Sequence, residues 1–330
     1  MALAPDIRER LSLPVVAAPM FLCSSVELAA EACKSGIMGS LTRNHCRDID
    51  ELEAQLRAVA ERVSRFKDSH EARPVGPLAV NISTHIAGDD MRAHLLLCRR
   101  YGARVIITSV GDPTNTAPLV KEAGLIHYHD ATNLRFAEKA IAAGVDGIIA
   151  IGAGGGGHSG TLSHLAFIPE VRAMFDGTLM LAGAVSNGAA IRAAEILGAD
   201  LVYMGTRFIA TREASAPDAY KAMLVDGTAA DVVYTDAING MPAMWLKASI
   251  RARGIDLATL PKPLERGTDH LPNGAEPWKT LWSAGQGIGL IDDIPTVAAL
   301  VNELRLEYLA ACSTPDMSAA VRAAIASESS

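Results

Sequence analysis

Short apolar runs alternate with longer segments whose apolar residues recur every three or four positions, and the rhythm holds from Val15 to Met204. The short runs, at 15–20, 37–41, 78–82, 105–110, 125–129, 147–151, 178–182 and 201–204, predict strands. Between them, 25–35, 48–66, 89–100, 114–123, 132–143, 168–174 and 187–197 predict helices. The second of these is the best marked: Asp48 can cap it, and Leu52, Leu56, Val59 and Val63 share one face. Strands that alternate with helices pair in parallel, and their unbroken apolar character implies burial on both faces. Eight such units predict an α/β fold, a (β/α)8 TIM barrel. An open doubly wound sheet would want a glycine fingerprint after the first strand, and Ala17-Ala18-Pro19-Met20 stands there instead.

The rhythm breaks after Thr211. Residues 213–280 hold amphipathic helical pieces and then a Pro/Gly-rich stretch, 261–277. They predict a small helical lobe inserted beside the barrel mouth, with 1–212 and 281–330 forming the barrel. A glycine loop, Trp282-Ser283-Ala284-Gly285-Gln286-Gly287-Ile288-Gly289, and a closing helix near 296–311 follow. The tail, 319–330, ends in Ser-Glu-Ser-Ser and is expected to fray.

Composition narrows the function. Of 330 residues 49% are hydrophobic and the net charge is −7, which allows a large core and gives no electrostatic case for nucleic acid or an anionic membrane. No apolar run reaches membrane-spanning length and no secretory leader is visible. Five cysteines without metal-type spacing fit a reduced, cytoplasmic protein. Cys23 reads as a small buried hydrophobe. The histidines show no metal-ligand spacing, so no metal site is expected.

In a barrel the chemistry sits on the loops that follow the strands. Here these loops are Pro19-Met20, Asn81-Ile82-Ser83, Tyr128-His129-Asp130, Gly152–Gly160, Gly183-Ala184 and Gly205-Thr206. Six of the nine residues in Gly152–Gly160 are glycine, which suits close approach of main chain to a ligand. His158 in that loop has little packing of its own and is the candidate general base. Gly183-Ala184 and Gly205-Thr206 follow strands seven and eight, a common phosphate position of the fold. His127 and His129 alternate along a strand, an arrangement expected to turn only one of them into the barrel, and both read as structural.

Gly156-Gly157-His158-Ser159-Gly160, Gly183-Ala184-Val185-Ser186-Asn187-Gly188 and, above all, Gly198-Ala199-Asp200 with Met204-Gly205-Thr206-Arg207-Phe208 resemble the nitronate monooxygenase family, formerly 2-nitropropane dioxygenases. The Trp282–Gly289 loop and Leu290-Ile291-Asp292-Asp293 fit too, and the resemblance spans roughly 12–310. It implies a TIM barrel that holds FMN without a covalent link. Ala18, Pro19 and Met20 would lie along the isoalloxazine and Asn81 at its edge. Gly183, Ala184, Gly205 and Thr206 would hold the phosphate. Gly156 and Gly157 would lie against the cofactor, with Gly285 and Gln286 reaching it from the last loop. His158 would serve as base or position the substrate.

The implied activity is oxidation of alkyl nitronates with dioxygen. Related flavin enzymes instead take NAD(P)H, as quinone or enoyl-thioester reductases, or act on acyl-CoA. A non-catalytic flavin- or phosphate-binding module is a third class. The partners are then a small-molecule substrate with dioxygen or NAD(P)H, and Ala-rich outer helices would permit a homodimer. Two departures from the family pattern remove charge near the cofactor: His127-Tyr128 stands where a His-Lys pair is common, and Ile151 where some members carry Asp.

Overall fold

The computed structural model describes every residue except Met1, Glu71, Ala72, Lys262, Leu264, Ser329 and Ser330. Eight parallel strands form the barrel: β1 (Val15–Ala17), β2 (Gly39–Thr42), β3 (Leu78–Ser83), β4 (Ala103–Ser109), β5 (Ile126–Ala131), β6 (Gly147–Ile151), β7 (Thr178–Ala182) and β8 (Leu201–Met204). Each pairs with its neighbours in sequence, and β8 pairs with β1. Between β1 and β2 the ring closes through a bridge: Ala17 donates to the Met38 carbonyl at 2.9 Å and Met38 to that of Val15 at 3.0 Å. This is the TIM barrel that the hydrophobic rhythm predicts.

The helices form the outer layer because each has one apolar stripe. In Ile49–Ser69 the Asp48 carboxylate accepts from the Glu51 N–H at 2.8 Å, and Leu52, Leu56 and Val59 are buried. Asn187 caps Gly188–Leu197 in the same way, accepting from Ala190 at 2.9 Å. At the amino ends of the strands the chain start acts as a plug. Leu3 and Ile7 join the cluster of barrel-interior residues that includes Val105 and Leu201, and Thr178, the first residue of β7, donates to the Ala2 carbonyl.

Two expectations change. The tail forms a helix, Ser318–Glu328, with solvent-exposed residues such as Val321 and Ile325; Ser329 and Ser330 lie outside the described residues. Within 213–280 there are helices at Asp218–Val225 and Lys247–Arg251, but also an antiparallel ribbon, β9 (Val232–Thr235) with β10 (Ala243–Leu246). The ribbon is short and partly polar, so its two-residue period is masked by the aromatic and methionine residues around it. Its Trp245 and Leu246 are fully buried. Tyr220 stacks on Trp282 with centroids 4.9 Å apart, which fastens this segment to the closing glycine loop.

Candidate active site

One large cavity opens at the carboxyl ends of the strands, with a volume of about 960 Å³. That is near the upper end for small-molecule sites, enough for a cofactor and a substrate together. Ala18, Pro19 and Met20 line it from β1, and Asn81 from β3. Gly156, Gly157 and His158 line it from the loop after β6. Gly183 and Ala184 follow β7, Gly205 and Thr206 follow β8, and Gly285 comes from the last loop. Gln286 does not line the cavity; it is exposed, and its amide lies where a Cβ on Gly154 would be, 2.8 Å away.

The glycines have a geometric cause. A Cβ on Gly285 would come within 2.7 Å of the Gly154 carbonyl oxygen, and one on Gly156 within 3.0 Å of the Gly285 nitrogen. The two loops therefore interlock backbone to backbone, fixed by Gln286 N–H to the Gly154 carbonyl at 2.9 Å and Gly285 N–H to Thr206 Oγ1 at 3.0 Å. Gly183 has φ +118°, and the next residue, Ala184, holds φ +56°, unusual for a side chain. Among the described residues the N–H groups of Ala184, Gly205 and Thr206 donate to no backbone carbonyl. A phosphate would satisfy them.

His158 is clamped from outside the barrel. Met244 of β10 donates its N–H to the Gly157 carbonyl at 2.8 Å, and the Tyr234 hydroxyl of β9 donates to the Ser159 carbonyl at 2.9 Å. The imidazole meets Trp278 edge to face, with centroids 5.3 Å apart. Its Nε2 is buried without a partner. Burial, and then the charge of Arg266, lower its pKa below the ordinary value, so the ring is neutral at pH 7 and can accept a proton.

His127 and His129 need correction. Residues two apart in a strand share a face. Both imidazoles meet Thr108 Oγ1 at 2.7 Å, while Ile126 and Tyr128 fill the barrel interior; at the strand's end both His129 and Asp130 line the cavity. Burial lowers their pKa values to about 3 and about 4. Both are neutral at pH 7.

The cavity floor is polar at one side. The Asn81 amide is spent within the protein: its Nδ2 donates to the Ile107 carbonyl at 3.3 Å and to Ser109 Oγ at 3.1 Å, while Oδ1 accepts from Thr42 Oγ1 and Asn44 Nδ2. Asp130 differs, since its buried Oδ1 has no partner. The sequence placed Asp130 in a cavity loop and assigned it no role. Its position two residues after Tyr128 on the same strand is the signal that turns it inward. Cys23 also faces the cavity, but burial pushes its thiol up to about 12, which makes it inert. Among the described residues no group of three or more His, Cys, Asp or Glu could hold a metal, and no helix is long and apolar enough to cross a membrane.

A TIM barrel with a deep cavity at the carboxyl ends of its strands, glycine loops whose N–H groups lack backbone acceptors and a neutral buried imidazole has the features of an enzyme-type site. The chain belongs to the nitronate monooxygenase family, whose sequence profile matches residues 8–307. The family is one of oxidoreductases, and the chain is of that class. It is 29% identical over 281 residues to a nitronate monooxygenase of Paraburkholderia phytofirmans, covering 74% of this chain and 76% of that one. It is 28% identical over 256 residues to a (3aS,4S,5R,7aS)-5-hydroxy-7a-methyl-1-oxo-octahydro-1H-indene-4-carboxyl-CoA dehydrogenase of Mycobacterium tuberculosis, covering 74% and 68%. Among solved structures, FabK of Thermotoga maritima superposes with a TM-score of 0.70 at 25% identity, covering 91% of this chain and 94% of that one.

Proposed function

We propose that the chain is an FMN-dependent oxidoreductase that oxidises alkyl nitronates with dioxygen. The observation that carries the reading is His158: a neutral, buried imidazole with a free Nε2, lining a cavity of about 960 Å³ beside glycines that leave main chain open to a ligand. The residues present fit FMN. Gly183, Ala184, Gly205 and Thr206 would hold its phosphate, with Ala18, Pro19 and Met20 along the ring. Bound there, a flavin would supply the electron-transfer chemistry between nitronate and dioxygen.

The chain's own part is orientation and proton handling. A nitronate is already deprotonated at its α-carbon, so His158 positions it: in the Nε2–H tautomer the neutral ring donates to a nitronate oxygen, and with the parent nitroalkane the unprotonated Nε2 would take the α-proton. Gly155, Gly156 and Gly157 keep side chains out of the space beside it. Trp278 and Tyr234 cover the loop and exclude water, which strengthens every polar contact inside. The test is oxygen uptake with propyl nitronate by FMN-loaded wild type and by His158→Ala. Uptake that depends on His158 supports the proposal. Equal uptake by both would refute His158 as the acting group, and none by either would refute the nitronate reaction.

A second reading draws on the size and rim of the cavity. It extends to Val110 and Phe136, 48% and 46% exposed, and to the cations Lys139 and Arg266. A bulky thioester, or NAD(P)H, would use that apolar and cationic rim, and a reductase or acyl-CoA dehydrogenase would follow.

A further inference from the structure

We propose that Asp130, whose buried Oδ1 is left without a partner in the cavity floor, pairs with the imide edge of the bound cofactor's ring; the inference rests on the FMN reading above. The ligand class it selects is a planar heterocycle that presents a C=O and an N–H side by side.

Asn81 has both amide hydrogens and both acceptor positions occupied by protein groups. Asp130 keeps a buried oxygen with no partner and lines the same cavity. A buried polar atom without a partner costs stability unless something in the working state satisfies it. The neighbours that face the cavity near it carry no positive charge. They are the Tyr203 phenol from β8, Ser109 from β4, Ile151 from β6 and the adjacent His129, whose pKa of about 4 keeps it neutral across the range tested; Asp112 also lines the cavity and adds no positive charge. Tyr203 is itself held well above its usual range by burial and by the Asp130 charge, so it stays a neutral phenol. Across the cavity His158 is neutral, and Lys139 and Arg266 stand at its rim.

Burial alone pushes the Asp130 carboxyl up to about 7, with no cation opposing it. A carboxylate there would be an uncompensated buried charge. The neutral acid offers one O–H donor and one C=O acceptor from a single planar group. An imide edge offers the complementary pair, so the two groups can form two parallel hydrogen bonds. The carboxamide of asparagine presents the same donor and acceptor but does not titrate. The floor thus combines a saturated amide, which fixes the shape, with one carboxyl left for the ligand that is protonated below about pH 7.

If only the protonated form binds, flavin affinity falls with pH. With a carboxyl that titrates near 7, the FMN dissociation constant rises on the order of 100-fold from pH 6 to pH 9. The experiment titrates apoprotein with FMN and with riboflavin, following quenching of flavin fluorescence, for wild type, Asp130→Asn and Asp130→Leu. Ionisation of the FMN phosphate affects all three alike, so the ratio of wild type to Asp130→Asn isolates the carboxyl; riboflavin lacks that phosphate. The expected result is a wild-type constant that weakens steeply above pH 7, a flat Asp130→Asn profile, and at least tenfold weaker binding by Asp130→Leu at pH 6. A ratio independent of pH, or wild-type binding that tightens as pH rises, overturns the inference while leaving FMN binding intact. Folded wild type that binds neither flavin at any pH sinks the cofactor reading and this inference with it. Should Asp130→Asn not fold, the wild-type riboflavin profile decides alone: a steep loss above pH 7 supports the pairing and a flat curve refutes it.

Discussion

The imidazole of His158 meets the indole of Trp278 edge to face, with centroids 5.3 Å apart and planes inclined at 60°. The two residues are far apart in sequence and belong to different parts of the fold, the loop after β6 and the segment before the closing glycine loop. Trp278 holds φ +68°, a strained value for a large side chain, kept by its N–H bond to the Leu281 carbonyl at 2.8 Å. It stacks in turn on Trp245, centroids 4.4 Å apart. The ribbon side of 213–280 therefore acts as the outer wall that aims and dries the imidazole.

Trp278→Ala should free the imidazole to rotate and expose it to water. A misplaced catalytic group commonly costs about 100-fold in rate. We expect kcat/KM with propyl nitronate to fall by at least about tenfold. Its acid limb should move to higher pH, because removing burial raises the His158 pKa back toward its ordinary value. Trp278→Phe should keep most of both. A pH–rate profile of the three proteins checks this; an acid limb that does not move in Trp278→Ala would mean the contact is only structural.

His158→Gln keeps the size and a hydrogen-bonding group but cannot take a proton. General bases contribute roughly 10²–10⁴ in rate, and a loss in that range is expected with a neutral nitroalkane, whose α-proton must be removed; the loss with propyl nitronate, which has none to give, should be smaller, with FMN still bound. Absorbance of the purified variant reports the flavin, and steady-state kinetics report the loss.

Gly285→Ala should break the interlock of the two glycine loops, since its Cβ would meet the Gly154 carbonyl oxygen at 2.7 Å and the Gly156 nitrogen at 3.2 Å. Overpacking of this kind costs about 1–3 kcal/mol. Urea unfolding measures that loss, and flavin retention should fall with it.

Acid should weaken the fold through His127 and His129. Both are neutral in the native state, with pKa values lowered to about 3 and about 4, whereas an unfolded histidine protonates near 6.5. Their contribution is present above pH 6.5 and is lost as pH falls toward the folded values. Each adds about 1.4 kcal/mol per pH unit to the slope of stability within that window. His127→Gln should reduce the slope by about one proton's worth. Denaturant melts between pH 4.5 and 7 test it, and an unchanged slope would mean that the ring takes up its proton without unfolding.

Most of the barrel was legible because its strands are short, apolar and buried on both faces, so the hydrophobic rhythm alone marks them. β6, β7 and β8 fall where that rhythm puts them. The lining of the cavity was legible at the strand-end loops, where Pro19, Met20, Asn81, the glycines, His158 and Thr206 all fall. The side chains that complete it were not. Asp130 sits at the end of a strand whose two histidines draw the eye, and misjudging their shared face hid that Tyr128 and Asp130 point inward. Trp278 and Arg266 reach the site through tertiary packing from a Pro/Gly-rich stretch without periodicity. The β9–β10 ribbon was hidden in the same way, since four-residue strands leave too few alternations to distinguish from a helix.

The most direct test of the account is an anaerobic absorbance spectrum of the FMN-loaded protein, before and after adding propyl nitronate and, separately, NADH or NADPH. The account predicts that nitronate bleaches the oxidised-flavin bands and that neither nicotinamide does so. Rapid bleaching by NADH or NADPH with nitronate inert would contradict it and make the protein a reductase of the same family.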